Sequence, residues 1–260
     1  MQNMNNLATD FHNPPLERPE TCETHGEYTA FCHFRNSWFG CPQCREIKLA
    51  AVKAESDRIE RNQREHRFRI AIGNAGIPER FRDRTLETYR ADSEKQARIL
   101  SFCRSYADEF AEVAKTGRNI LMLGLPGTGK THLSIGIALE IMRDGRTTIF
   151  TTASRLLRSI KDTYSKRSEV TESQAIAVFT TCDLLIVDEV GVQRGSEYEK
   201  DMLFDVINER YENLRPTIIL SNLTTEEIRA YLGDRDYDRL RENGGKAFVF
   251  DWDSYRGKAA

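Results

Sequence analysis

The sequence predicts an α/β fold: a parallel sheet flanked by helices and built around a phosphate-binding loop, preceded by a small zinc-binding module. Three observations carry this. Gly124-Leu125-Pro126-Gly127-Thr128-Gly129-Lys130-Thr131 fits the pattern G-x-x-x-x-G-K-[ST] at every fixed position, between an apolar run at 119–123 and a helix-like run at 132–142. Continuous apolar runs alternate with amphipathic ones through the C-terminal half, as strands covered on both faces require. Four of the six cysteines fall within residues 22–44, and in a reducing compartment such crowding reads as metal before disulfide.

From the N-terminus, residues 1–20 are polar, hold Pro14, Pro15 and Pro19, and read as a flexible leader. Residues 21–45 form the metal module. Cys22-x-x-His25 and Cys41-x-x-Cys44 are two short pairs, each able to grip one ion from a tight turn. Together they offer four ligands at the spacing of tetrahedral Zn²⁺. Cys32 and His33 lie between the pairs and stay open as substitutes for one ligand. No general base lies nearby, so the ion is expected to be structural, with Phe31, Phe34, Trp38 and Phe39 packed around it. Residues 46–72 read as a charged linker helix with a thin apolar seam at Ile47, Ala51, Ala54 and Ile59. Eight Lys/Arg against five Asp/Glu between Arg45 and Arg69 give it weak attraction for phosphate.

Residues 73–260 hold the α/β domain. It opens in a loop-like stretch carrying Gly76-Ile77-Pro78. Residues 93–115 read as one helix, capped by Ser93, with apolar positions at Ile99, Leu100, Phe102, Phe110 and Val113. After the phosphate loop come a strand at 147–151, a helix at 153–164, a strand at 184–187, a helix at 197–214 and a strand at 216–220. Cys103 and Cys182 sit in apolar contexts and read as core.

The chemistry follows from the strand ends. Gly124, Gly127 and Gly129, with Pro126 and Thr128 in the same turn, let backbone N–H groups face a polyphosphate, and the following helix aims its positive end at the same anion. Lys130 reaches the β/γ-phosphates, and the Thr131 hydroxyl is placed for Mg²⁺. Leu184 to Val187 is an apolar strand ending in Asp188 and Glu189. Asp188 suits Mg²⁺ held through water, and Glu189 suits the general base that polarises the attacking water. Asn222 tips the next strand and either contacts the lytic water or γ-phosphate, or caps a helix; Thr224 and Thr225 are better caps.

Phosphate loop, acidic strand end and Asn-tipped strand, in this order and spacing, resemble an AAA+ ATPase. The run from Leu232 to Arg241 and the run Phe250-Asp251-Trp252-Asp253-Ser254-Tyr255-Arg256 resemble the end of DnaC-like helicase loaders. Gly76 to Phe81, with Thr85-Leu86-Glu87, resembles the entry segment of the loader and IstB-type group, so the likeness runs through residues 73–256. The resemblance implies ATP hydrolysis, with Arg239 as an arginine finger on a neighbouring subunit's ATP and hence self-association. It implies Arg256 as a second sensor on the γ-phosphate of its own ATP. Only four residues follow Arg256, so the lid is minimal. The implied partners are a replicative helicase hexamer of the DnaB type and single-stranded DNA. Residues 153–170 carry Arg155, Arg158, Lys161, Lys166 and Arg167 against Asp162 and Glu169, and the first three form a basic stripe at helical spacing beside Tyr164, suited to a DNA backbone. Two alternatives stay open: an IstB-like helper of a transposase, and a nucleotide-dependent adaptor that binds through its zinc ribbon.

Composition sets bounds. A net charge of −2 over 260 residues excludes a chain that is basic throughout, so any DNA contact must come from local patches. No run of 18 apolar residues predicts a membrane span. Residues 1–10 lack a signal peptide, and a cytoplasmic location is the expectation.

Overall fold

The computed structural model describes residues 16–34, 37–165, 170–191 and 197–256, apart from the side chains of residues 33, 34, 61, 64–72, 74 and 197–199. The chain divides into two units, Met1–Arg64 and Glu65–Ala260.

The first unit is a three-stranded antiparallel sheet in the order β1 (Leu16–Cys22), β2 (Gly26–Phe34), β3 (Ser37–Trp38), followed by the start of α1 (Pro42–Asn74). The register runs from Leu16↔Cys32 to Cys22↔Gly26 and leaves a three-residue turn. Gly26 closes that turn at φ 81°, a conformation that costs glycine little. The strand takes up residues 16–20 of the expected leader. Pro19 lies on an edge strand, where the N–H it lacks is not required for the ladder. Helix α1 starts with Pro42 at a first-turn position that tolerates proline, ahead of the expected start at 46, so Cys44 lies within its first turn. The expected seam is not buried among the described residues: Ile47, Ala51, Ala54 and Ile59 are all exposed. Among the described residues the module's buried apolar residues are Ala30, Cys32 and Cys41; Trp38 is half-buried, and the Phe34 side chain lies outside the described residues. Phe31 and Phe39 are exposed; Arg18 stacks over Trp38 at 4.2 Å and Arg45 over Phe39 at 5.4 Å.

The second unit is a five-stranded parallel sheet in the order β5 (Thr148–Thr152), β6 (Leu184–Asp188), β7 (Thr217–Ser221), β4 (Ile120–Gly124), β8 (Lys246–Phe250). Helices α2 (Glu94–Asp108), α3 (Phe110–Thr116) and α4 (Lys130–Arg143) pack on one face. Helices α5 (Ala153–Lys161), α6 (Glu172–Thr181), α7 (Glu197–Glu212), α8 (Thr225–Leu232) and α9 (Asp234–Arg241) pack on the other. The strands serve both cores by strict alternation. Ile120 and Met122 join the first core and Leu121 and Leu123 the second; Leu184 and Ile186 oppose Leu185 and Val187 in the same way. This alternation explains why the strands read as unbroken apolar runs.

Ser93 caps α2 through a reciprocal box with Gln96, as expected. The helix expected over 93–115 is broken, because Glu109 leaves helical geometry at φ −95°, ψ 18° between α2 and α3. The helix expected over 153–164 ends at Lys161 and continues as a 3-10 turn over Asp162–Tyr164. Strand β8 and helix α6 are additions; the Thr171–Gln174 capping box was the local sign of α6. Helices α8 and α9 lie between β7 and β8. With β7 and β6 beside β4, and β8 on its other side, the strand ends Gly124, Asp188, Ser221 and Phe250 share one sheet edge.

Candidate active site and metal centre

The phosphate loop spans the end of β4 to the start of α4. Lys130 is the first residue of α4, and its buried Nζ donates to Gly124 O and Leu125 O, each at 2.6 Å. Burial lowers its pKa to about 8, with Asp188 pulling the value up and Arg256 pushing it further down. The fully buried Thr128 closes the turn by donating from Oγ1 to Leu125 O at 2.7 Å. Gly129 has φ 99°, and a Cβ there would stand 2.7 Å from the Tyr89 ring, so only glycine fits.

The two acids of β6 are placed differently. Thr131 Oγ1 donates to Asp188 Oδ2 at 3.0 Å, and the Glu189 N–H donates to Asp188 Oδ1 at 2.7 Å. Glu189 itself is exposed on a left-handed turn with φ 61°, uncommon for a residue with a side chain. That turn is pinned to β7: the Val190 N–H donates to Leu220 O at 3.0 Å, and Ser221 Oγ donates to Val190 O at 2.6 Å. The pinning brings the turn of exposed Asn222 beside the turn of Glu189. Thr224 caps α8 through the Glu227 N–H, so Asn222 has no capping role. The hydroxyl of Thr131 and the carboxylate of Asp188 supply hard oxygen ligands of the kind Mg²⁺ takes.

The C-terminal segment crosses the outside of the loop. The Leu125 N–H donates to Phe250 O at 2.9 Å, Trp252 Nε1 to Thr128 O at 3.0 Å, and the Tyr255 N–H to Gly127 O at 2.9 Å. Arg256 ends this segment, with its Cγ 3.3 Å from where a Cβ on Gly127 would stand. Arg239 stands elsewhere. Its half-buried guanidinium donates to Asn208 and, at 3.2 Å, to Asp236, and lies over the Tyr211 ring at 5.2 Å. Those partners lie on α7 and α9, none on the phosphate loop.

Sequence reasoning missed three residues around the loop: Tyr89, Trp252 as a loop contact, and His132. The His132 ring meets Thr85 O at 2.9 Å and Thr88 Oγ1 at 3.2 Å, and packs edge-on against Tyr89 at 5.3 Å. It also missed Arg210, which is fully buried without a carboxylate partner. Arg210 donates to Thr217 Oγ1 at 3.0 Å and to the carbonyls of Phe179 (2.7 Å), Cys182 (3.0 Å) and Pro216 (2.6 Å). No local sequence signal marks that role.

In the first unit, Cys22, His25, Cys41 and Cys44 converge, their ligand atoms all within 4.8 Å of one another. Cys22 Sγ lies 3.5 Å from Cys44 Sγ, and His25 Nδ1 lies 3.6, 3.6 and 3.3 Å from the sulfurs of Cys22, Cys41 and Cys44. Bond lengths of about 2.3 Å to sulfur and 2.0 Å to nitrogen set tetrahedral edges of about 3.8 and 3.6 Å. These four separations lie within about 0.3 Å of those edges, and Cys22, Cys41 and Cys44 are all free of disulfides. The N–H groups of Thr24 and His25 lower the Cys22 thiol to about 6, and the neighbouring Cys22 raises Cys44 to about 11. Three thiols and an imidazole gathered this closely are donors of the kind Zn²⁺ takes. Cys32 is buried in β2 and stands outside the four; the His33 side chain lies outside the described residues.

On α5, Arg155, Arg158 and Lys161 are exposed, with Leu156 and Ile160 buried beneath them. Lys166, Arg167 and Glu169 lie outside the described residues. Among the described residues no helix is long and apolar enough to cross a membrane.

A family model described as IstB-like ATP binding protein matches residues 49–256. The replicative helicase loader DnaC of Escherichia coli K12 is 33% identical over 201 residues, spanning 77% of this chain and 80% of that one. DnaC from Buchnera aphidicola subsp. Acyrthosiphon pisum is 31% identical over 204 residues, spanning 78% and 82%. Among solved structures, the DnaC helicase loader superposes with a TM-score of 0.60 at 22% identity, covering 66% of this chain and 99% of that chain. DnaA from Aquifex aeolicus bound to AMPPCP superposes with a TM-score of 0.56 at 21% identity, covering 68% and 52%. The parallel sheet around a phosphate loop is therefore the AAA+ fold, and the chain belongs to the IstB-like ATP-binding family as a DnaC-like member.

Proposed function

We propose that this chain is a Mg²⁺-dependent ATPase that loads a replicative helicase of the DnaB type onto single-stranded DNA. The observation that carries the enzymatic part is the end of β6: Asp188 accepts from Thr131 beside the loop, while the next residue, Glu189, is exposed on a left-handed turn. In this reading the loop N–H groups and Lys130 hold the phosphates. Thr131 and Asp188 would hold Mg²⁺, which would supply positive charge to offset that of the phosphoryl oxygens. Asn222 orients a water and Glu189 takes its proton. The water oxygen bonds the γ-phosphorus as the bond to the β–γ bridging oxygen breaks. Arg256 reads the γ-phosphate in cis. Arg239 leaves its Asn208 and Asp236 contacts to reach a neighbouring subunit's nucleotide, so turnover depends on self-association. Cys22, His25, Cys41 and Cys44 hold a structural Zn²⁺ that folds the N-terminal module. The exposed stripe of Arg155, Arg158 and Lys161 contacts single-stranded DNA.

The loading role is supported by the name and extent of the DnaC relatives, which align over most of their own length. The test is native mass spectrometry of the chain mixed with the host's replicative helicase, with and without ATP. The expected result is a stoichiometric complex, trapped with ATP bound by Glu189→Gln. No complex under any nucleotide, with the metal retained, refutes the loader assignment. If the chain instead forms that complex with a transposase added in the helicase's place, the assignment turns to a transposition helper.

A further inference from the structure

We propose that Phe250–Arg256 is a strap that moulds the phosphate loop, with Trp252 as a positioning residue for nucleotide binding. The planarity of the peptide unit fixes which way each group of the loop faces. In a trans peptide the carbonyl and the following N–H point in opposite directions, and no peptide of the described chain is cis. The Tyr255 N–H holds Gly127 O outward at 2.9 Å, so the Thr128 N–H of that same peptide faces the loop interior. Trp252 Nε1 holds Thr128 O outward at 3.0 Å, so the Gly129 N–H faces inward as well. Neither N–H donates to a backbone carbonyl among the described residues, which leaves both for an anion. The third contact obeys the same rule with reversed sense: Leu125 N–H points out to Phe250 O, and Gly124 O of that peptide points in, where it accepts from Lys130 Nζ.

The strap is itself anchored. The Trp252 ring packs on Phe250 with centroids 4.8 Å apart, and Asp251 pairs with Lys95 of α2 at 2.7 Å. Gly127 has no room for a side chain, since a Cβ there would stand 2.0 Å from Ser254 Oγ. The loop glycines therefore answer to the strap on one side as much as to phosphate on the other. A loop free of the strap has flexible glycine peptides whose dipoles must be ordered on binding; the strap orders them beforehand. This role differs from that of Arg256. Trp252 acts on N–H groups near the phosphates common to ADP and ATP, whereas Arg256 acts on the γ-phosphate.

The inference rests on the nucleotide-binding reading, and its test separates the two. Affinities for ADP and for the slowly hydrolysed analogue ATPγS are measured with Mg²⁺ on the full chain, on Trp252→Phe and on Arg256→Ala. Trp252→Phe keeps the aromatic packing and loses one hydrogen bond. It is expected to weaken ADP and ATPγS by the same factor, about fivefold to tenfold, with the loss in turnover appearing in KM rather than kcat. Arg256→Ala is expected to weaken ATPγS more than ADP. If Trp252→Phe does not fold, 3-benzothienylalanine at position 252 keeps the indole shape with sulfur in place of N–H and is held to the same numbers. A folded Trp252 variant that binds both nucleotides as tightly as wild type, or that loses ATPγS alone, overturns the strap. A wild-type chain that binds neither nucleotide overturns the site reading itself.

Discussion

Lys130 is expected to make nucleotide affinity fall as the pH rises above about 8. In the free chain its burial holds the ammonium at about 8, against an ordinary 10.5. A bound polyphosphate favours the charged form and returns the pKa towards its ordinary value, so binding takes up a proton whenever the pH exceeds about 8. For a shift from 8 to 10.5, the dissociation constant scales as (1 + 10^(pH−8))/(1 + 10^(pH−10.5)). This is nearly flat at pH 7, about elevenfold weaker at pH 9 and about thirtyfold weaker at pH 9.5. The free protein is expected to show the opposite sign: because the folded pKa is depressed, the Lys130 contribution to stability should rise from about pH 8 to 10.5 as the folded state sheds the proton first. The assay is calorimetric titration of Mg-ADP between pH 7 and 9.5, in pairs of buffers with different ionisation enthalpies, so that proton uptake is counted directly. Arg stays protonated across this range, so Lys130→Arg is expected to bind more weakly but with no pH slope. A flat profile in the wild type, or an equal slope in Lys130→Arg, refutes the reasoning.

Two further outcomes follow. The wild type is expected to carry one zinc per chain, Cys41→Ser to lose it, and Cys32→Ala to keep it, because Cys32 lies outside the tetrahedron; metal analysis of the desalted chains checks this, and zinc lost from Cys32→Ala overturns the ligand assignment. Arg210→Met leaves the carbonyls of Phe179, Cys182 and Pro216 and the Thr217 hydroxyl without their donor; relief of a buried charge offsets part of that loss, for a net destabilisation of about 3–5 kcal/mol. Thermal and urea unfolding read it, Arg210→Lys should recover only part of it, and an unchanged Tm sinks the assignment.

What was legible in the sequence was whatever is local in the chain. The phosphate loop is eight consecutive residues, the acids sit at the end of one strand, and the four converging Cys and His residues come as two x-x pairs, so each group could be found without knowing the fold. Boundaries failed where local signals compete with pairing. Pro19 reads as a breaker and is harmless on an edge strand, and the apolar periodicity of 93–115 persists across the break at Glu109. The residues that shape the loop from outside were not legible because their partners are far off in sequence. Trp252 meets Thr128 across 124 positions and His132 meets Thr85 across 47. Arg210 reads as one more charge on an amphipathic helix, and only the closing of α6, α7 and β7 around it makes it a buried hub.

The place of the strap nevertheless follows from topology once β8 is recognised. Strand β8 lies parallel to β4 with Phe250 opposite Gly124, so both strands end at the same level of the sheet edge. At that level the chain leaving β4 becomes the phosphate loop, and the chain leaving β8 must run beside it. A slip of one residue in this pairing moves Trp252 by about 3.3 Å along the strand direction and turns it to the other face. Either change breaks its bond to Thr128 O. The buried Phe250 and the alternation of Ala247 and Phe248 between the two cores hold the register in place. The hydrophobic pattern of an edge strand thus fixes where the donors stand that orient a glycine loop. A substitution that loosens β8, such as Phe250→Ala, is expected to weaken nucleotide binding without touching a single group that contacts phosphate.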